Sequence, residues 1–247
     1  MTEPIQPELQ RLIDDCYRVF SIYPPPRVLH ASPLRDPAAI LKTLTSAPLR
    51  ELTGEQIGPY AGWAITTVGG VADYKHFLPR ILEQAVRESL WTGTDPPIIA
   101  SKLSRGGWRT WRLDERTVVQ AVFAGAWRHG FEQHLGDGDP TGWLCGIAIA
   151  DSDLDAALEA WLSSTSANAV LHLAEFFGSD AERLIKEKAD RNFWNDAGDD
   201  TIERMRQWLL GEPVLDLLLS ARVGAEDQWR IDNALLVLDA VSPPRLR

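Results

Sequence analysis

Cysteine is scarce in this chain of 247 residues: Cys16 and Cys145 stand far apart, each within an apolar stretch. Two such residues cannot build a disulfide framework, and their surroundings predict buried, inert thiols in a reducing compartment. The opening residues "MTEPIQPELQRLIDD" are acidic and lack a basic stretch leading into an apolar one, so no secretory leader is expected and the location is expected to be cytoplasmic. Long apolar runs are also missing. The longest, 118–127 and 143–150, fall short of the roughly 20 residues a membrane helix needs, so no membrane partner is expected. Positive charge is in deficit, with 25 Lys and Arg against 35 Asp and Glu and a net charge of −10. A nucleic-acid binder needs a basic stripe to displace counterions, so nucleic acid is not an expected partner. Neither a G-x-S-x-G elbow nor a phosphate-binding glycine loop occurs.

What the chain holds in abundance is helical periodicity. Leu9, Leu12, Ile13, Cys16 and Phe20 recur at three- and four-residue spacing and predict a first helix over 7–20. "SIYPPPRVLHASPL" follows with four prolines and no period, which predicts an extended surface loop. Asp36 before Pro37 opens a helix, with Asp as cap and Pro at the first helical position. Thr53 and Gln56 fit a capping box for a helix reaching about 66, ended by "VGGVAD". Asp95 before Pro96 and Pro97 opens a short helix to about 103. A long helix near 114–134 carries Val119, Val122, Phe123, Ala126, Trp127 and Gly130 on one face, and "GDGDPTG" breaks it.

"WLCGIAIA" is the one strand candidate, and its helical neighbours favour a buried helix. Leu154, Leu158, Trp161 and Leu162 mark a further helix. Ser166 caps the next, which bears Val170, Leu173, Ala174 and Phe177 and is closed by Gly178. Other helices are predicted near 180–189, 200–210, 213–222 and 226–240. Ten tryptophans is a high count, and most of them read as core anchors between helices. Trp-Leu recurs at 143, 161 and 208, but at unequal spacing, so no fixed repeat period exists. The expected fold is all-α: an irregular array of about ten to twelve packed helices, with a repeat-like stack of helical hairpins as its ordered variant. One domain over 1–247 is expected, with 136–142 as the candidate subdomain break.

Two stretches stand out as candidate binding sites. In "DYKHFLPRILE", Tyr74, Phe77, Leu78, Ile81 and then Ala85 continue an apolar stripe across Pro79. If Asp73 caps this helix, Pro79 lies past the first turn, frees the Lys75 carbonyl and bends the axis; otherwise a short 3₁₀ turn over 73–77 feeds a helix starting near Pro79. On its flank Asp73, His76, Arg80, Glu83 and Arg87 fall along one line. They read either as a solvated face laced with weak ion pairs or as a recognition ridge made by Asp73, His76, Arg80 and Glu83. In "SRGGWRTWR", Arg105, Trp108, Arg109, Trp111 and Arg112 are residue types enriched at binding hot spots. The structural alternative docks both tryptophans on the core with arginines stacked on them.

Residues 60–83, "YAGWAITTVGGVADYKHFLPRILE", resemble the segment that marks a family of bacterial proteins with no assigned activity. That family carries a similar Tyr…Ala-x-Thr-Thr-x-Gly…Asp-Tyr/Phe-x-His-Phe-Leu-Pro-Arg pattern. The match covers about a tenth of the chain. The resemblance implies a bacterial origin and an all-helical fold, and it transfers no catalytic role.

"HGFEQH" over 129–134 invites a metal reading, but His129 and His134 are five apart, about 140° around a helix, and do not share one ion easily. His134 then falls near the apolar stripe as a hydrogen-bonded, half-buried histidine. "GDGDP" lacks the third oxygen ligand and distal Glu of a calcium loop and reads as a turn, while "NDAGDD" reads as a capping loop that could meet a basic partner. Cys145 and His172 read as structural. No metal and no cofactor are expected. The expected function is a non-catalytic bacterial module that binds another protein, preferably a basic one, for example an immunity-type protein that neutralises a toxic effector. The competing expectations are a hydrolase using His76, His129 or Glu132, and a self-associating scaffold; no oligomeric state is indicated.

Overall fold

The computed structural model describes residues 5–87, 93–138, 140–186 and 190–241. Among them the chain is all-α: an irregular array of packed helices, with isolated backbone bridges at Ala31–Val68 and Ala64–Val68 and no sheet. It divides into two compact units, Met1–Ala126 and Trp127–Arg247. The division falls inside the helix Leu113–Glu132.

The first unit holds α1 (Pro7–Phe20), α2 (Pro37–Leu44), α3 (Gly54–Trp63), α4 (Val71–Arg87), α5 (Pro96–Arg105) and the start of α6 (Leu113–Glu132). Local chemistry sets several of these starts. The Asp36 carboxylate accepts from the Ala38 and Ala39 amides at 3.0 Å each. Thr53 and Gln56 close both halves of a capping box. Each satisfies donors that the first helical turn leaves without partners, worth about 1 kcal/mol.

α4 is the centre of this unit. From Tyr74 to Gln84 every residue but His76 is buried, with α1, α3 and α5 packed around it. α1 meets it with the stripe Leu9, Ile13, Cys16 and Phe20, as its periodicity predicts. α4 also runs unbroken through Pro79, so the alternative of a 3₁₀ turn over 73–77 feeding a helix that starts near Pro79 does not form. Pro79 is itself buried, and tertiary packing on all sides supports a helix that propensity alone would interrupt.

The second unit holds α7 (Pro140–Ala150), α8 (Leu154–Leu162), α9 (Ala167–Phe176), α10 (Glu182–Ile185), α11 (Asp199–Leu209), α12 (Glu212–Ser220) and α13 (Gln228–Val241). Its core is aromatic. Trp161 lies edge-on to Trp127 with centroids 4.8 Å apart and stacks on Trp208 at 5.7 Å; Phe176 and Trp194 extend the cluster. The Trp161 and Trp127 indole N–H groups donate to the Ala169 and Ala157 carbonyls at 2.8 and 3.2 Å. Trp127 and Trp161 are anchors with their polar edges satisfied, whereas the Trp208 indole N–H is buried with no hydrogen-bond partner among the described residues. "WLCGIAIA" is the buried helix α7. Gly178 does not close α9: a π-turn over Phe177–Ala181 carries the helix on into α10. A widened turn absorbs the glycine that the sequence presents as a stop.

Candidate functional site

The charged side chains of α4 and the Arg/Trp loop form two buried polar networks in the first unit. In the first, the Lys75 ammonium donates to Glu115 Oε2 at 2.7 Å and to the Tyr23 hydroxyl at 2.9 Å. Tyr23 in turn donates to Glu115 Oε1, and the Arg112 amide reaches Glu115 Oε2 at 3.2 Å. Lys75 sits 4.2 Å from the Trp111 ring centroid, so the cation is held between a carboxylate and an aromatic face. Glu115 is fully buried and Lys75 is 8% exposed. Burial, reinforced by the bond to Glu115, pushes the Tyr23 phenol up against the opposing effect of Lys75.

In the second network, Arg80 Nε donates to the Leu52 carbonyl at 2.7 Å and Arg80 Nη1 to Glu83 Oε2 at 2.7 Å. Tyr17 donates to the same oxygen at 2.7 Å. Arg87 donates to Glu83 Oε1 at 3.0 Å and to Gln10 at 2.8 Å. Burial alone would raise the Glu83 carboxyl; the hydrogen bonds from Tyr17, Arg80 and Arg87 outweigh it and hold the group below the usual carboxylate range. Burial and Glu83 push the Tyr17 phenol upward. The line Asp73–His76–Arg80–Glu83 is therefore not a solvated ridge. Arg80 and Glu83 are 9% and 6% exposed, and their partners come from α1 and the turn before α3.

The ends of that line behave differently. Asp73 accepts from the Gly70 amide at 2.8 Å and caps α4 from inside its first turn. His76 Nδ1 lies 2.9 Å from the Tyr23 carbonyl oxygen; a carbonyl can only accept, so this nitrogen carries the proton. Trp108 and Trp111 are buried, and the Trp111 indole donates to the Gly106 carbonyl at 3.0 Å. Arg105, Arg109 and Arg112 are exposed, with Arg112 paired to Asp114 at 2.6 Å. Both tryptophans of the loop are buried, and Lys75 lies over the Trp111 ring.

Lys75, Tyr23 and Glu115 were absent from the candidate residues, yet a signal for two of them exists in the sequence. Lys75 shares a helical face with Leu78 and Leu82, and Glu115 lies one turn before Val119 on the α6 stripe. A charge in register with an apolar stripe predicts a buried ion pair; the identity of its partner does not follow from spacing.

The α3–α4 junction stores strain. Ile65 adopts φ +65° directly after the cap of α3, a position that glycine normally fills. The turn is held by Ile65 N–H to the Val68 carbonyl at 3.0 Å and by Lys102 to Thr66 Oγ1 at 3.1 Å. Beside it the hydroxyls of Tyr60 and Tyr74 are buried with no hydrogen-bond partner among the described residues.

The remaining candidates do not assemble a site. Among the described residues no group of three or more His, Cys, Asp and Glu is placed to hold a metal ion. α6 ends at Glu132, so His134 lies beyond it, exposed rather than half-buried, and accepts from the Gly136 amide at 3.2 Å. Asp139 of "GDGDP" lies outside the described residues. His172 is buried, with Nε2 3.1 Å from the Gln133 carbonyl oxygen, and both cysteines are buried, Cys16 with its thiol pushed up by burial. No helix among the described residues is long and apolar enough to cross a membrane. Compared with protein-family models, curated proteins and solved structures, the chain matches none of them.

Proposed function

We propose that this chain is a non-catalytic bacterial protein-binding module, acting in the cytoplasm, that meets a basic protein partner; an immunity-type protein that neutralises a toxic effector is its concrete form. The observation that carries the reading is the disposition of charge in the first unit. The Lys, Arg, Glu and Tyr groups best suited to chemistry, Lys75, Arg80, Glu83, Glu115, Tyr17 and Tyr23, are engaged with one another inside the fold. What the surface offers instead is the excess of carboxylates behind the net charge of −10, including exposed Asp196, Asp199, Asp200 and Glu203 in the second unit. Such a surface accelerates encounter with a cationic partner and is screened by salt.

The test is affinity capture from the source cell at low and high ionic strength, with the chain and with a D196K/D199K/D200K/E203K variant. One stoichiometric basic protein, released by salt and lost with the variant, is the expected result. Partners that ignore both salt and charge reversal, or a substrate turned over by the pure chain, would overturn the reading.

A further inference from the structure

The proline-rich strap between α1 and α2 is a second feature, free of carboxylates in a chain with an acidic excess. Residues 21–35 contain no Asp or Glu and two arginines, Arg27 and Arg35, in a chain whose net charge is −10. Within the strap Pro24, Pro25 and Pro26 follow one another. Each proline fixes its own φ near −65°, and each residue before a proline is driven to extended ψ, so Pro24 and Pro25 are set in a polyproline II conformation by covalent geometry.

The fold clamps this segment at both ends. Upstream, Tyr23 is tied by its hydroxyl to Lys75 and Glu115 and by its carbonyl to His76. Downstream, Leu29 is buried, the Gly69 amide donates to the His30 carbonyl at 2.7 Å, and the Ser32 amide to the Thr67 carbonyl at 2.9 Å. Between the clamps Pro24, Pro25 and Arg27 face solvent, and Val28 is 66% exposed. Arg27 has no ion pair or hydrogen bond among the described residues.

We infer that residues 24–28 are a presented docking segment for a partner protein with an aromatic-lined groove that reads polyproline II, rimmed by carboxylates that take Arg27. Proline rings fill slots between aromatic side chains, and a segment already extended and anchored loses little entropy on binding. This surface and its partner are distinct from the acidic surface and the basic partner proposed above.

The experiment places the photo-reactive p-benzoylphenylalanine at position 28 of the full chain in the source cell, with the same reporter at exposed Leu219 as control. The expected adduct maps to a partner groove bearing two or more aromatic residues. Its yield falls about tenfold in a P24A/P25A background, as flexible alanines replace pre-set prolines, and falls again with R27E. Both variants alter exposed side chains, and a cooperative melt, lowered by no more than the few degrees that loss of two prolines entails, verifies their folding. No adduct above the Leu219 control, an adduct indifferent to P24A/P25A, or one on a surface without aromatic residues would overturn the inference while leaving the acidic-surface reading to its own test.

Discussion

Replacing Glu115 by Gln keeps the shape and one acceptor but strips the charge that faces Lys75. The ammonium, 8% exposed, is then left with the Tyr23 hydroxyl, an amide oxygen and the Trp111 ring. Breaking a buried pair on one side costs about 3–5 kcal/mol, because an uncompensated charge remains in a medium of low dielectric. For a chain of this size that is a fall in melting temperature of roughly 10 °C. Lys75→Met is expected to cost slightly less, since Glu115 keeps the Tyr23 hydroxyl and the Arg112 amide as donors. K75M/E115Q removes both charges together and is expected to recover most of the loss, with a coupling of about 2 kcal/mol or more. Urea unfolding followed by tryptophan fluorescence reads all three variants, with Trp111 as a neighbouring reporter. Single substitutions that each cost under about 1 kcal/mol and simply add in the double variant would refute the buried-pair reasoning, since exposed pairs behave that way.

Glu83 supplies a pH dependence. Its folded-state pKa lies below that of the unfolded chain, so its contribution is complete above the unfolded value of about 4.3 and is lost as pH falls through the folded value. The wild-type melting temperature should therefore drop in that acidic window more steeply than that of Glu83→Gln, and parallel profiles would count against the network. Gly93→Ala should destabilise by more than about 2 kcal/mol in chemical denaturation, since an L-residue resists φ +86° and the new Cβ would stand 2.5 Å from the Gly58 carbonyl oxygen. Tyr74→Phe should be neutral or stabilising by about 1 kcal/mol, because it deletes a buried hydroxyl with no partner among the described residues; a clear loss of stability would reveal a bond to that hydroxyl.

Much of the fold was legible because its determinants are local. The Asp36 cap, the Thr53–Gln56 capping box and the stripe of α1 all act within a few residues, and each is where the spacing places it. Gly178 misleads for a related reason: a glycine after an apolar stripe looks like a helix end, and only packing in the second unit converts it into a π-turn. The polar face of α4 is not legible in this way. Its charges suggested water, whereas the groups that satisfy them come from residues far along the chain: Leu52 for Arg80, Tyr17 for Glu83, Glu115 and Tyr23 for Lys75. Periodicity reports which face a residue occupies and says nothing of what a distant segment brings to that face. The same limit applies to Trp108 and Trp111, whose residue types suit an exposed hot spot and a buried anchor equally well.

Lysine labelling tests the buried-network account most directly. Lys75 and Lys102 are buried, whereas Lys42 and Lys186 are exposed. Reductive methylation of the native chain, quantified residue by residue by mass spectrometry, should modify Lys42 and Lys186 within the first minutes and leave Lys75 and Lys102 protected until denaturant unfolds the first unit. Lys75 reacting as fast as Lys42 in the native chain would mean that its ammonium faces water. The polar face of α4 would then be a surface, and the assignment of its charges to the interior would fail.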